Sequence, residues 1–452
     1  MISFGKRVSL AILLFVSLGV VSQQAVAIPA FARKYGLPCS ACHEAWPKLN
    51  NFGQVFRDNG YQLMNDRDSP IYQNPSYFPI TIRMTPNWHH ESQTRQQIDS
   101  IAGDGGSPQV ETTISQHGFD LSGIDLWTAG TLYKNISFTV LPSADSSGAF
   151  HFEAAFVRFD NLAGSRWLNL KFGKFELDNF LSEKRFLTLS QTGGFYYNYH
   201  FAPAGSINTF GGIGDNQLGM ELAGHSWNSY TRYSVSLLSS NDGTPGLPTS
   251  RSYDAFVNLT QAFEIPRLGL QHVGVYGYFG QSPTYFQTNI GAGGGPLAGT
   301  GIGNKSFARV GAYGQWYIGK FDLSTFYMHG QDNVFLGNGV AANRPDLLPA
   351  GAVGPTWNGG FLEAHYSYNP QLIFIGRYEL VKMSRQANPG MPSDLGNVKT
   401  FTLAYRWYPI MFSRAGLAWH QEYARATFTG TAPISGLDQT FSSFFSGFDF
   451  DF

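Results

Sequence analysis

From Ile80 to the C-terminus, apolar and polar residues alternate along the chain with a period of two. About sixteen such runs, each of roughly ten residues, follow one another between segments rich in turn-forming residues. Because successive side chains of a strand point to opposite faces, each run predicts a strand with one apolar face. Charged residues are only 13% of the chain, aromatic residues are 15%, and glycines number 52. These features together predict an all-β transmembrane barrel of about 16 antiparallel strands.

The connections between the runs alternate in length. Those after odd-numbered runs are long, such as 88–112 and 176–216, and those after even-numbered runs are short, such as Gly319-Lys320. Outer-membrane barrels combine short periplasmic turns with long extracellular loops in this way. The second and third runs, Thr113–Asp125 and Thr131–Leu141, predict one of the short turns at 126–130. An even number of strands predicts that both termini of the barrel lie on the periplasmic side of a bacterial outer membrane.

Two segments precede the barrel. Residues 1–27 have the features of a secretory signal peptide: the basic pair Lys6-Arg7, an apolar stretch from Leu10 to Val21, and the small-residue cleavage site Ala25-Val26-Ala27. Elsewhere the chain lacks any apolar run long enough for a membrane-spanning helix. We therefore expect a signal peptide at 1–27, a separate segment at 28–78, and the barrel at 79–452.

The separate segment contains Cys39-Ser40-Ala41-Cys42-His43, and its two cysteines are the only ones in the chain. Cys-x-x-Cys-His is the attachment motif of c-type haem. The two thiols add across the haem vinyl groups, and the adjacent imidazole binds the iron as an axial ligand. A zinc site would need further ligands nearby, and a thioredoxin-like pair would need a βαβ frame. The motif therefore predicts one covalent haem iron on Cys39, Cys42 and His43.

After the motif, Leu49, Phe52 and Phe56 follow helical spacing, with Pro47 near the expected start and Gly60 after the expected end. A segment of about fifty residues buries little surface alone. We therefore expect this helical segment to pack against the barrel and plug its lumen.

The distal ligand of the iron is left open by the sequence. Met64 lies just beyond the expected helix, His89 and His90 lie at the end of the first expected strand, and Met84 is a weaker candidate. Methionine would raise the haem potential and a second histidine would usually lower it. Simple packing explains Met64 equally well, and an open or water-bound site is a further alternative.

The N-terminal residues resemble a known family, the fused monohaem c-type cytochrome–porins of the outer membrane, best known from Fe(II)-oxidising bacteria. The residues that carry the resemblance are Pro29-Ala30-Phe31-Ala32-Arg33, the Cys39–His43 motif, Pro47-Lys48-Leu49, Phe52-Gly53, Phe56 and Gly60-Tyr61. The resemblance implies electron transfer between an extracellular donor, Fe(II), and a periplasmic cytochrome c or another soluble carrier. An enzyme of this type would be a ferrous iron:cytochrome c oxidoreductase.

Three other functions are compatible with the sequence. Electrons would flow outward if the haem potential were low, or the barrel would be a diffusion porin with a structural or sensory haem plug. Redox chemistry on a small organic substrate would need an open iron site. A net charge of −1 gives no basis for nucleic-acid binding. We identify no catalytic residues, because hydrolytic motifs are missing from the sequence.

Overall fold

The computed structural model describes residues 29–45, 48–63, 79–101, 108–144, 148–178, 216–239, 253–282, 305–338, 345–388, 397–411 and 416–451. The predicted signal peptide, Pro47, Met64 and Phe452 lie outside these residues. Among the helices in the described ranges, none has the length and apolar character needed to cross a membrane.

The N-terminal segment, residues 29–45 and 48–63, is built from short elements. These are α1 (Pro29–Tyr35), α2 (Cys39–Cys42), β1 (His43–Ala45), β2 (Lys48–Leu49) and α3 (Asn51–Asp58). Strands β1 and β2 pair antiparallel. The Asn50 side chain accepts the amide hydrogen of Gly53 at 2.9 Å, so the helix begins after Asn50. Leu49 therefore lies in β2, which corrects the expectation that it begins the helical face.

Gly60 ends the helical part of the N-terminal segment, as expected. Its φ of +75° is one that residues with a side chain rarely adopt. A Cβ at this position would also lie 2.8 Å from Asp160 Oδ2. Glycine is therefore required both by the backbone conformation and by the close approach of the barrel wall.

The rest of the described chain forms a closed barrel of sixteen antiparallel strands, which confirms the predicted number and pairing. The first eight are β3 (Ile80–Asp99), β4 (Gln109–Tyr133), β5 (Ile136–Ala144), β6 (Phe150–Phe159), β7 (Asn169–Glu176), β8 (Asn216–His225), β9 (Thr231–Ser239) and β10 (Tyr253–Ile265). The others are β11 (Gly269–Ser282), β12 (Lys305–Ile318), β13 (Phe321–Gln331), β14 (Thr356–Asn369), β15 (Leu372–Arg385), β16 (Asn397–Met411), β17 (Gly416–Thr429) and β18 (Gln439–Asp451). Each strand pairs with its neighbour in sequence, and β18 pairs with β3 to close the ring.

The strand connections follow the expected alternation in most places. Short connections such as 134–135, 319–320 and 370–371 define one end of the barrel, here called the short-turn end. Connections such as 177–215 and 332–355 define the long-loop end. The pair 145–149 and 160–168 departs from the alternation, since the second is the longer and contains a 3-10 helix at Leu162–Gly164. The long-loop end also carries α4 (Val334–Gly337) and a 3-10 helix at Pro345–Leu347.

Two predicted boundaries in the first strands are wrong. The expected turn at 126–130 lies inside β4, because Thr128 pairs with Ile80 of β3 and with Val140 of β5. The chain turns instead at residues 134–135, where Lys134 has a φ of +40°. The first long connection spans only 100–108, since β3 continues to Asp99. His89 and His90 therefore lie within a strand rather than at its end.

The two faces of the barrel differ as the alternation predicts. Alternate residues of β9 and β10 expose apolar side chains on the outside, including Val235 at 49% and Leu259 at 51%. The residues between them, such as Ser234 and Asn258, are buried on the inside. In β18, Phe448 and Phe450 alternate with the inward Asp449. An apolar outer surface on a closed barrel is the surface that a hydrocarbon layer requires.

The inner face carries a large apolar cluster farther from the short-turn end and a smaller one near that end, at Ile373, Ile375 and Tyr408. The large cluster of buried side chains on β7 to β16, here called the inner aromatic layer, includes Phe256, Tyr278, Phe326, Trp357 and Phe361. Its rings pack closely, with centroids 5.3 Å apart for Phe326 and Phe361. The sequence did not predict this layer, because a lumen is expected to be polar.

Candidate functional site

The predicted haem-attachment motif forms a compact turn in the N-terminal segment. Helix α2 spans Cys39–Cys42, one helical turn, so the backbones of the two cysteines lie on the same side. His43 follows at once in β1 and is 5% exposed. Cys42 is a free thiol and is partly buried.

The backbone around the motif is held from two directions. The Asn50 side-chain amide donates hydrogen bonds to the carbonyl oxygens of Ser40 and Ala41. The Asn50 backbone amide donates to the Cys42 carbonyl oxygen at 2.9 Å. Gly53 of α3 packs against the same carbonyl so closely that a Cβ there would lie 2.1 Å from its oxygen. Helix α3 therefore fixes the position of the cysteine turn.

The burial of Cys42 disfavours those cysteine chemistries that need a reactive thiolate at this position. Burial raises the pKa of the Cys42 thiol to about 11, so an unmodified thiol there stays protonated at neutral pH. A thiolate nucleophile or zinc ligand needs the opposite shift. Among the described residues, no three His, Cys, Asp or Glu side chains converge on a metal site. A thioether-linked haem with His43 as ligand needs neither a thiolate nor such a cluster.

The N-terminal segment contacts the inner face of the barrel on several sides. It reaches β3 through Thr81, β4 through Thr131 and β5 through Thr139. It also contacts β6, β9, β12 and β13 through the side chains described below. The segment therefore lies within the short-turn end of the lumen.

Helix α3 ends in a buried ionic cluster, here called the first anchor. Arg232 of β9 binds Asp58 through its Nε at 2.9 Å and its Nη2 at 3.1 Å, and it also binds Asp178 at 2.5 Å. Burial is the largest single influence on the pKa of Asp58 and would raise it, but the Arg232 guanidinium, together with smaller effects of neighbouring groups, holds that pKa below its usual range. Arg158 of β6 donates to the carbonyl oxygens of Arg57 and Asp58 at 2.8 and 3.2 Å. The first anchor thus ties the end of α3 to two strands.

The strands that carry His43 contact another part of the wall, here called the second anchor. The Lys48 ammonium donates to the carboxylate of Asp322 in β13 and lies 3.5 Å from Glu44. The Tyr317 hydroxyl of β12 donates to the carboxylate of Glu44. Burial lowers the pKa of Lys48, and the carboxylates of Glu44 and Glu363 oppose this effect. The second anchor therefore places buried charges beside the predicted haem ligand.

An aromatic cluster fills the space between the segment and β4. Phe31 stacks on Tyr61 with ring centroids 5.4 Å apart and meets Phe56 edge to face at 5.1 Å. Phe56 and Tyr61 are buried against Ala129 of β4, with Trp127 at the border. The Tyr61 hydroxyl also hydrogen-bonds Thr139 at 3.0 Å. The family-like aromatic residues of the segment are thus its packing contacts with the barrel.

The candidate distal ligands in β3 lie on different faces of the barrel. In β3, the inner face carries Thr81, Asn87 and His89, whereas Trp88 and His90 lie on the outer face. The rings of His90 and His117 are 6.2 Å apart on that outer face. Register thus places His89, but not His90, on the side of the lumen. Met84 has the outward parity of His90, and Met64 is outside the described residues.

Sequence reasoning missed the four wall residues that hold the segment: Arg158, Arg232, Tyr317 and Asp322. Each is an inward-facing residue near the short-turn end of its strand. In the sequence such residues are indistinguishable from ordinary lumen polarity. The only available signal was their position at the short-turn end, where the segment enters.

Comparison with known proteins agrees with the barrel fold. No family model and no curated protein match the chain. Among solved structures, a loop L8 deletion mutant of OmpT, an outer-membrane protein of Vibrio cholerae, matches with a TM-score of 0.50 and 10% identity. That match covers 83% of this chain and 100% of the other. An anion-selective porin from Comamonas acidovorans matches at 0.48 and 10%, covering 82% and 100%. The chain therefore has the same closed-barrel fold as an outer-membrane protein.

Proposed function

We propose that the protein is an outer-membrane cytochrome–porin that carries single electrons through a covalent haem held in the lumen of its barrel. The observation that carries the proposal is the placement of Cys39, Cys42 and His43. They lie in a segment that is anchored on the inner wall, within a barrel whose outer surface is apolar. A haem free to move in the periplasm would not need these anchors.

The direction we propose is inward, from extracellular Fe(II) to a periplasmic cytochrome c. Each Fe(II) loses one electron and becomes Fe(III), and one ferric cytochrome c gains that electron. Oxidation outside the cell keeps insoluble Fe(III) away from the periplasm. The haem, when bound, supplies a one-electron iron couple within a membrane whose hydrocarbon cannot carry charge.

The chain itself has three tasks in this proposal. His43 binds the iron, and the two cysteines hold the porphyrin. The two anchors keep the segment in the lumen, and the inner aromatic layer excludes water from much of the inner face farther along. A lumen that holds the segment and the inner aromatic layer favours electron transfer over diffusion of solutes.

Reconstituted vesicles test this function directly. The purified protein is inserted into vesicles that enclose ferric cytochrome c, and Fe(II) is added outside. We expect reduction of the enclosed cytochrome by the wild type and none by a Cys39→Ser/Cys42→Ser variant. Covalent haem is measured in parallel from haem staining of the denatured protein. A wild type that carries haem but reduces nothing inside refutes the proposed electron transfer.

The closed-barrel fold favours one other function, a diffusion porin in which the haem segment is a structural or sensory plug. Planar bilayers separate the two functions, because a porin passes a steady ion current and a closed conduit passes little. The direction of electron flow is tested by a redox titration of the haem bands with and without Fe(II). A haem that stays oxidised in excess Fe(II) would support outward flow instead.

A further inference from the structure

The proposed function uses the buried pair Lys48–Asp322 as an anchor but leaves unexplained why this anchor is made of charged groups. Its two side chains are 6% and 11% exposed, and they come from residues 274 positions apart. Taking two charges out of water is costly, and an apolar pair of similar size is often at least as stable. A buried pair at this position is therefore not explained by stability alone.

The pair lies next to the strand that carries His43, the predicted iron ligand. Lys48 lies in β2, and β2 pairs with β1, where His43 is the first residue. The neighbour of His43, Glu44, contacts both Lys48 and Tyr317. Asp322 in turn lies 3.4 Å from His365 across the β13–β14 pair. The strands that carry the iron ligand are thus joined to the wall through charged groups.

We propose that Lys48 and Asp322 are positioning residues that hold the His43 strand against the lumen wall and tune the reduction potential of the attached iron. The inference rests on the proposed haem attachment. Three carboxylates surround Lys48, namely Glu44, Asp322 and Glu363, and they favour its charged form. The wall therefore supplies a fixed charge pattern beside the two paired strands that carry His43 and Lys48.

The sign of each effect follows from electrostatics. Ferric haem carries one more positive charge than ferrous haem, so added negative charge nearby favours the ferric form. Lys48→Met leaves Asp322 uncompensated and should lower the potential, whereas Asp322→Asn leaves Lys48 uncompensated and should raise it. Inside a protein, where the effective dielectric constant is about 20, such charges act over several ångströms.

Redox titration of the purified, haem-loaded full chain tests the inference. At a fixed ambient potential, we expect Lys48→Met to raise the ferric-to-ferrous ratio about tenfold, which is about 59 mV for one electron. Asp322→Asn should lower that ratio by a similar factor. The double variant should return close to the wild type, and Lys48→Arg should stay there. Asp332→Asn is the control, because Asp332 forms a still more deeply buried pair with Arg309 near the long-loop end.

Opposite shifts of the two single variants, cancelled in the double variant, would establish the electrostatic role. Shifts of the same sign, or none, in proteins that still carry haem would overturn the inference and leave the proposed function intact. Loss of haem in a single variant but not in Lys48→Arg or the double variant would equally support a positioning role. A wild type without covalent haem would overturn the proposed function and this inference together.

Discussion

Replacing Asp58 by asparagine removes the charge of the first anchor without changing the size of the side chain. Breaking a buried ion pair by removing one partner costs about 3–5 kcal/mol, because the other charge stays buried. Arg232 keeps its contact with Asp178 at 2.5 Å, so we take the lower limit, about 3 kcal/mol. The cost applies to docking of the N-terminal segment, since the barrel strands keep all their ladder hydrogen bonds.

Hydrogen exchange measures this cost. A loss of about 3 kcal/mol raises the population of the undocked segment about a hundredfold. Amides of α3, such as Gln54, which donates to Asn50 at 2.9 Å, should then exchange about a hundredfold faster. Amides of β9 should exchange at the wild-type rate, and so should α3 in the Asp332→Asn control.

Two results would refute this reasoning. Unchanged exchange of α3 in Asp58→Asn would mean that the Arg232 contact does not hold the segment. Equal acceleration in α3 and β9 would mean that the pair stabilises the barrel as a whole, and the segment only indirectly.

Three further predictions concern the same segment. The pKa of Asp58 in the folded protein is held below its ordinary 3.8. The contribution of Asp58 to docking is therefore complete above about pH 4 and is lost as the pH falls through its pKa in the folded protein. Hydrogen exchange of α3, corrected for intrinsic rates, should accelerate at this low pH in the wild type but not in Asp58→Asn. Gly53→Ala should lower the fraction of chains with covalent haem severalfold, because the new Cβ overlaps the Cys42 carbonyl. Gly376→Ala is the control, since its Cβ would meet only one side-chain atom, at 3.8 Å. Equal haem staining of the two variants would refute the explanation. The double variant Asp58→Asn/Asp322→Asn should pass more ion current in planar bilayers than the wild type, and an equal current would show that the anchors do not keep the lumen closed.

The barrel was predictable because its signal is local. A period of two over about ten residues needs only one apolar face per strand, and this pattern located all sixteen strands. The main error came from strand pairing, which a local pattern does not show. The turn expected at 126–130 lies inside β4, because these residues pair with β3 and β5.

The haem motif was also predictable from a short stretch of sequence. Its three reactive residues lie within five positions, and their chemistry sets that spacing. The helix that follows was expected from its apolar residues, although its first residue depended on the Asn50 cap. Covalent haem, its distal ligand and the electron donor stay predictions.

The anchors, by contrast, were decided by the tertiary structure alone. Asp58 and Arg232 are 174 positions apart, and Lys48 and Asp322 are 274 apart. Each of these residues looks like ordinary polarity in its own segment, since the partner is chosen only when the barrel closes around the segment. Local alternation thus determined that a barrel forms, and closure of that barrel determined where the predicted haem segment lies and which charges surround it.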